Sequence, residues 1–211
     1  MALRPRSAES PGAFAGASST VAAAQPCGGL GRLLARAFRE PKPQILVLGP
    51  LCGESVVYLA GRGARVHVED VTPPEPIPPR RPGEAQGPIA PVRLEQPDRL
   101  FDVVIAWEML DFVPPDRLAE IGSELARVMR VGGQLLVLAH QKPPAETAAI
   151  PRYRLLADDL VVREESTDPP RRRYTHPNRD IERALGGLLV QGIQLQRNQM
   201  REIVASKAGV G

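Results

Sequence analysis

Gln44-Ile-Leu-Val-Leu-Gly-Pro-Leu-Cys-Gly-Glu-Ser-Val-Val-Tyr-Leu-Ala-Gly-Arg-Gly-Ala-Arg-Val-His-Val-Glu-Asp70 sets the architecture of this chain. Residues 45–48 are an unbroken apolar run, the pattern of a parallel strand buried on both faces. A turn rich in glycine follows, from Gly49 to Gly53. Residues 54–60 read as a helix with Val56, Val57, Leu59 and Ala60 on its apolar side, and Gly61 and Gly63 end it. Residues 64–68 form a second strand that closes on two carboxylates, Glu69 and Asp70. Strand, glycine turn, helix, strand and acid make up the first half of a nucleotide-binding α/β unit, whose ligands sit at the C-terminal ends of the strands.

The chain of 211 residues suits one domain with a tail, and its 43% hydrophobic content supports a sizeable core. A net charge of +3 is too small to imply a nucleic-acid partner. The basic run Arg171-Arg-Arg173 reads as a solvated loop. The two cysteines, Cys27 in a tail and Cys52 in the turn, read as free thiols in a reducing compartment. His67, His140 and His176 are scattered without metal-ligand spacing, so no metal site is expected. No apolar run approaches the ~20 residues that span a bilayer, and the expected location is cytoplasmic.

Residues 1–29, rich in Ala, Ser, Gly and Pro, read as a disordered tail. The domain spans 30–207, with a short tail at 208–211. Residues 30–38 form an amphipathic helix through Leu30, Leu33, Leu34, Ala37 and Phe38. The crossover after Asp70 is unusual. Eight prolines fall between Pro73 and Pro91, where a parallel crossover normally carries a helix, so the chain must cross as an extended loop. A short third strand is expected at 93–95.

Residues 100–106 are a clear strand, ending on Trp107-Glu108-Met109-Leu110-Asp111. A helix over 116–130 buries Leu118, Ile121, Leu125 and Val128, with Gly132-Gly133 as its cap, and a buried strand follows at 134–139. Residues 153–156 and 160–162 form either short strands or a helical turn. Asn178 caps a helix running to Leu185. Residues 188–196 and 200–206 are two strands joined by a three-residue turn, so they pair antiparallel.

This layout resembles the class I S-adenosylmethionine-dependent methyltransferases over residues 30–207. Leu46-Val-Leu-Gly-Pro-Leu-Cys-Gly53 resembles their glycine-rich first motif, and residues 63–70 resemble the second strand and its acid. Phe101-Asp-Val-Val-Ile-Ala-Trp-Glu-Met-Leu-Asp111 is similar to the fourth strand. Leu125-Ala-Arg-Val-Met-Arg-Val-Gly-Gly-Gln-Leu-Leu-Val-Leu138 resembles the helix, Gly-Gly turn and fifth strand, the most specific of the matches. The resemblance implies a Rossmann-like α/β fold. Its sheet has seven strands and is mostly parallel, with an antiparallel strand in the C-terminal hairpin.

The resemblance implies S-adenosylmethionine as cofactor and methyl transfer to an unidentified small molecule or protein. Asp70, with Glu69 as its alternative one residue earlier, would accept the ribose hydroxyls. Gly49, Leu51, Cys52 and Gly53 would line the cofactor through the turn, and Trp107 and Glu108 would flank it beyond the fourth strand. Asp111 would orient the acceptor or act as a base. Tyr153, Arg154, Tyr174 and Asn178, with His176 and Arg179 nearby, would contact substrate.

The sequence departs from the family's first motif at two positions. Val47 stands where an acid is usual, and Leu51 where the middle glycine lets the backbone approach the cofactor. These departures support an alternative: a non-catalytic module of the same fold that binds a protein partner through its proline-rich segment at 73–91. A nicotinamide-dependent dehydrogenase ranks lower, because the turn does not fit Gly-x-Gly-x-x-Gly.

Overall fold

The computed structural model describes residues 23–50, 52–70 and 92–209. Leu51 and the proline-rich segment lie outside them. The central sheet is built from β2 (Gln44–Leu48), β3 (Arg65–Glu69), β4 (Phe101–Trp107), β5 (Met129–His140), β10 (Leu189–Leu195) and β11 (Met200–Ser206). Its order is β10-β11-β5-β4-β2-β3. The pairs β3·β2, β2·β4 and β4·β5 are parallel, and β11 is antiparallel to both β5 and β10. The sheet is therefore mixed and has six strands among the described residues, not the expected seven.

The unbroken apolar runs are explained by cover on both faces. Ile45, Val47, Val103 and Ile105 face a layer containing Leu30, Leu33, Leu34 and Ala37 of α1 (Gly28–Ala37), with Leu59 of α2 (Gly53–Gly61). The alternate residues Leu46, Leu48, Val104 and Ala106 face α3 (Leu118–Val128) and α4 (Asn178–Ala184). Each leucine side chain buried this way contributes about 1.5–3 kcal/mol.

Several expectations change for identifiable reasons. The helix expected over 116–130 is a single turn, Pro115–Arg117, followed by α3, and β5 starts directly at Met129. Gly132-Gly133 is a bulge in β5 and not a helix cap. Gly132 has φ +77°, its N–H bonds Lys207 O at 2.8 Å, and Lys207 N–H bonds Gly133 O at 3.0 Å. A Cβ on Gly133 would sit 2.7 Å from Phe101 O, so only glycine fits this close crossing.

The expected strand at 93–95 is absent because its backbone finds other partners. Val92 N–H donates to Glu120 Oε2 (2.9 Å) and Leu94 N–H to Glu124 Oε2 (2.8 Å), while Arg127 donates to Leu94 O. The segment is stitched along α3 by side chains. Asn178 is also not a cap. It is the first residue of α4, and its Oδ1 accepts from Arg201 Nη1 at 2.6 Å.

A further change concerns the tail. Residues 24–29 are ordered, since β1 (Ala24–Pro26) pairs antiparallel with β8 (Leu160–Glu164), which pairs with β7 (Arg152–Ala157). Cys27 is buried, and its N–H bonds Asp159 O at 2.7 Å. The open choice at 153–162 resolves as this hairpin. A two-residue ladder, β6 (Thr147–Ala148) with β9 (Arg171–Arg172), completes the insertion between β5 and α4.

Burial, then the charge of Glu202, pushes the Cys27 thiol up to about 12. Burial and its bond to Glu54 also raise the Cys52 thiol. The thiolate is the reactive form. Iodoacetamide at neutral pH is therefore expected to leave both thiols unmodified in the native protein and to label both in denaturant, read by mass. Rapid native labelling of Cys27 would contradict the packing.

Candidate functional site

The C-terminal ends of β2, β3, β4 and β5 converge where the insertion folds over them. At β2, Gly49 takes φ +112°, a conformation that strains other residues, and its N–H bonds Glu69 O at 3.0 Å. A Cβ on Gly53 would meet nothing within 4 Å among the described residues. Cys52 precedes α2 with its thiol donating to Glu54 Oε2 at 2.7 Å. Asp70, Pro50, Ile150 and residues 168–171 line a cavity of about 290 Å³. The two neighbouring acids separate here. Asp70 lines the cavity, whereas Glu69 Oε1 accepts from Glu95 N–H at 2.7 Å.

The end of β4 is closed. Trp107 stacks on Tyr153 with ring centroids 4.7 Å apart and planes 9° from parallel. Glu108 is 0% exposed and holds a left-handed backbone, φ 47°. Its carboxylate accepts from Tyr153 OH, from Arg163 Nε at 2.5 Å and from Arg173 Nη2 at 2.9 Å. Asp111, 1% exposed, accepts from His140 N–H and from Arg173 Nη2 at 3.2 Å, and lies 2.7 Å from His140 Nδ1. Arg173 Nη2 also lies 2.6 Å from His140 Nδ1.

Burial pushes the Glu108 carboxyl up, but the hydrogen bond and charge of Arg163, then the Tyr153 hydroxyl, outweigh it and hold the group below the usual carboxylate range. Burial, then the Glu108 charge, pushes the Tyr153 phenol well above its ordinary value. The cluster is thus an ionised glutamate held by arginines and a neutral tyrosine, with its charges paired.

The fold brings Trp107, Glu108, Asp111 and Tyr153 into this one cluster and places Gly49 and Asp70 near the cavity. The side chains of the other substrate candidates have other partners, and for Tyr174 only the backbone reaches the cluster. Arg154 pairs across the hairpin with Glu164 (2.7 Å). Tyr174 N–H bonds Asp111 O at 2.7 Å. Asn178 holds Arg201, His176 Nε2 sits 3.0 Å from both Leu110 O and Val113 O, and Arg179 is exposed beside Asp180.

His140, Arg163 and Arg173 are the members that sequence reading missed. Arg173 belongs to the run read as a solvated loop, yet it is 7% exposed. The donor atoms of Glu108, Asp111 and His140 lie within 4.8 Å of one another, a geometry that scattered sequence positions do not reveal. The Arg173 guanidinium is the cation among them.

No family model and no curated protein matches the sequence. Solved structures do match. A SAM-dependent methyltransferase from Methanosarcina mazei is 15% identical with a TM-score of 0.52, over 83% of this chain and 97% of that one. A putative S-adenosylmethionine-dependent methyltransferase from Listeria monocytogenes is 14% identical with a TM-score of 0.51, over 86% of this chain and 99% of that one. The chain has the class I methyltransferase fold.

Proposed function

We propose that the chain is an S-adenosylmethionine-dependent methyltransferase whose insertion covers the transfer position until an acceptor is admitted. The cavity at the ends of β2 and β3 carries this reading, because it places a carboxylate, Asp70, beside the turn around Gly49. The described residues fit the adenosine half of the cofactor. Asp70 would accept the ribose hydroxyls, and the backbone N–H groups at the start of α2 would receive the cofactor's carboxylate. The cavity's volume of about 290 Å³ lies near the lower bound for ligand sites. The cofactor supplies an electrophilic methyl group. The protein supplies orientation and exclusion of water, which methyl transfer chiefly needs.

Asp70→Ala is expected to weaken S-adenosylhomocysteine binding about ten- to a hundredfold, the loss of hydrogen bonds to a charged group. Stability in denaturant should fall by clearly less than binding does, because Asp70 is exposed. Calorimetric titration and urea melts read the two effects. Equal losses in both would contradict the assignment.

A second reading is favoured by the closed end of β4, where Trp107, Glu108 and Asp111 are at most 2% exposed. In it the same fold transfers no methyl group and binds a protein partner through residues 73–91. Its signature would be absence of cofactor binding, together with a captured partner that is lost when that segment is deleted. No helix of the described residues is long and apolar enough to cross a membrane, and a cytoplasmic location is part of the proposal.

A further inference from the structure

The buried cluster holds one guanidinium group, that of Arg173. Arg173 Nη2 touches Glu108 Oε2 (2.9 Å), Asp111 Oδ2 (3.2 Å) and His140 Nδ1 (2.6 Å), and the Phe112 ring centroid lies 5.5 Å from Arg173 Cζ. Two carboxylates, an imidazole nitrogen and an aromatic face surround one planar cation, the set that recognises guanidinium. Arg163 pairs with Glu108 and the exposed Glu165, and Arg201 gives its Nη hydrogen bonds to backbone carbonyls and Asn178. Arg173 is therefore the arginine in direct contact with Asp111 among the described residues.

The side-chain contacts of Arg173 converge on Nη2. Its Nε is buried without a hydrogen-bond partner. Its backbone N–H bonds Glu146 O at 2.8 Å, and the strand before it, β9, is a two-residue ladder with exposed or half-buried residues. Ladders this short open at low cost. A strong cation site is thus closed by a weakly held strap, next to residues that line the proposed cofactor cavity, Ile150 and Arg171.

We infer that Arg173 stands in for the substrate, and that the natural ligand of this site is a guanidinium- or amine-bearing molecule whose cationic head displaces the Arg173 side chain. As the methyl acceptor this inference rests on the reading proposed above; as a cation site it stands alone. In the transfer, the nitrogen–carbon bond forms as the sulfur–carbon bond of the sulfonium donor breaks, and the nitrogen sheds one proton. The carboxylates of Glu108 and Asp111, at 2.9 and 3.2 Å from Nη2, are the acceptors in reach of that proton.

The test is calorimetric titration with n-butylguanidinium, and with n-butylurea as its neutral isostere, on wild type and Arg173→Ala. It contains no S-adenosylmethionine, so failure of cofactor binding leaves its result intact. Wild type is expected to bind the cation weakly, Arg173→Ala at least about tenfold more tightly because the internal competitor is gone, and neither to bind the urea. Millimolar cation should also raise the melting temperature of Arg173→Ala. If that variant does not fold, Arg173→Lys, which keeps a smaller cation in place, carries the comparison. No binding to wild type at millimolar cation would overturn the substrate reading and leave Arg173 a structural strut. Equal binding of the urea would overturn the cation site altogether.

Discussion

Glu108→Ala is expected to cost about 3–5 kcal/mol of stability, the penalty for removing one partner of a buried ion pair. Glu108 has no exposure and receives Tyr153, Arg163 and Arg173. Without it, two guanidinium groups and a phenol lose a buried acceptor. For a domain of this size the melting temperature should fall by roughly 6–20 °C. The pH dependence follows from the lowered folded-state pKa of Glu108, in which burial is outweighed by the bonds and charge of Arg163 and by Tyr153. A depressed carboxyl contributes stability that is complete above the unfolded value, about 4.3, and lost as pH falls through the folded one. Glu108→Gln, which keeps the shape without the charge, should therefore show a flatter acid limb than wild type. An unchanged melt for Glu108→Ala would mean that the network contributes nothing.

Gly122→Ala is expected to destabilise although it adds a better helix former. In an exposed helix interior the change gains about 0.5–1 kcal/mol. Here the added Cβ would overlap Ala184 O and lie 2.5 Å from Ala184 C, both backbone atoms of α4. Backbone cannot rotate away as a side chain can, so α3 and α4 must separate. Overpacking of this kind costs about 1–3 kcal/mol and sometimes more. The net loss is about 1–2 kcal/mol, a fall of roughly 2–8 °C in melting temperature. The displacement also reaches the site, because Asn178 of α4 holds Arg201, whose Nη2 bonds His140 O at 2.6 Å. A stabilised variant, measured by thermal melt, would show that the helices do not touch at this point.

The sheet was legible because its signals are local. The runs at 45–48 and 103–106 are apolar throughout because both faces are covered, and the turn at 197–199 forces an antiparallel pair. The Gly132-Gly133 bulge was not legible. A helical stripe followed by two glycines reads as a cap, and only the crossing of Phe101 O shows why glycine is needed there. The segment at 92–96 failed for the complementary reason, since its partners are glutamates on α3, 28 and 30 residues away.

At the site, Glu108 and Asp111 were visible as acids just beyond a strand, and Asp70 as an acid at a strand's end. His140 and Arg173 were not. The first closes an apolar strand, and the second belongs to a run of arginines that chemistry alone assigns to solvent. Their meeting depends on the insertion folding back over β4, which no spacing in the chain encodes.

The decisive measurement is calorimetric titration of the wild-type chain with S-adenosylhomocysteine, paired with a thermal melt. Cofactor held at 100 times its dissociation constant should add about 2.7 kcal/mol, a rise of roughly 5–11 °C, with one site per chain. No heat and no shift at millimolar ligand would contradict cofactor binding by this fold and turn the search toward a protein partner.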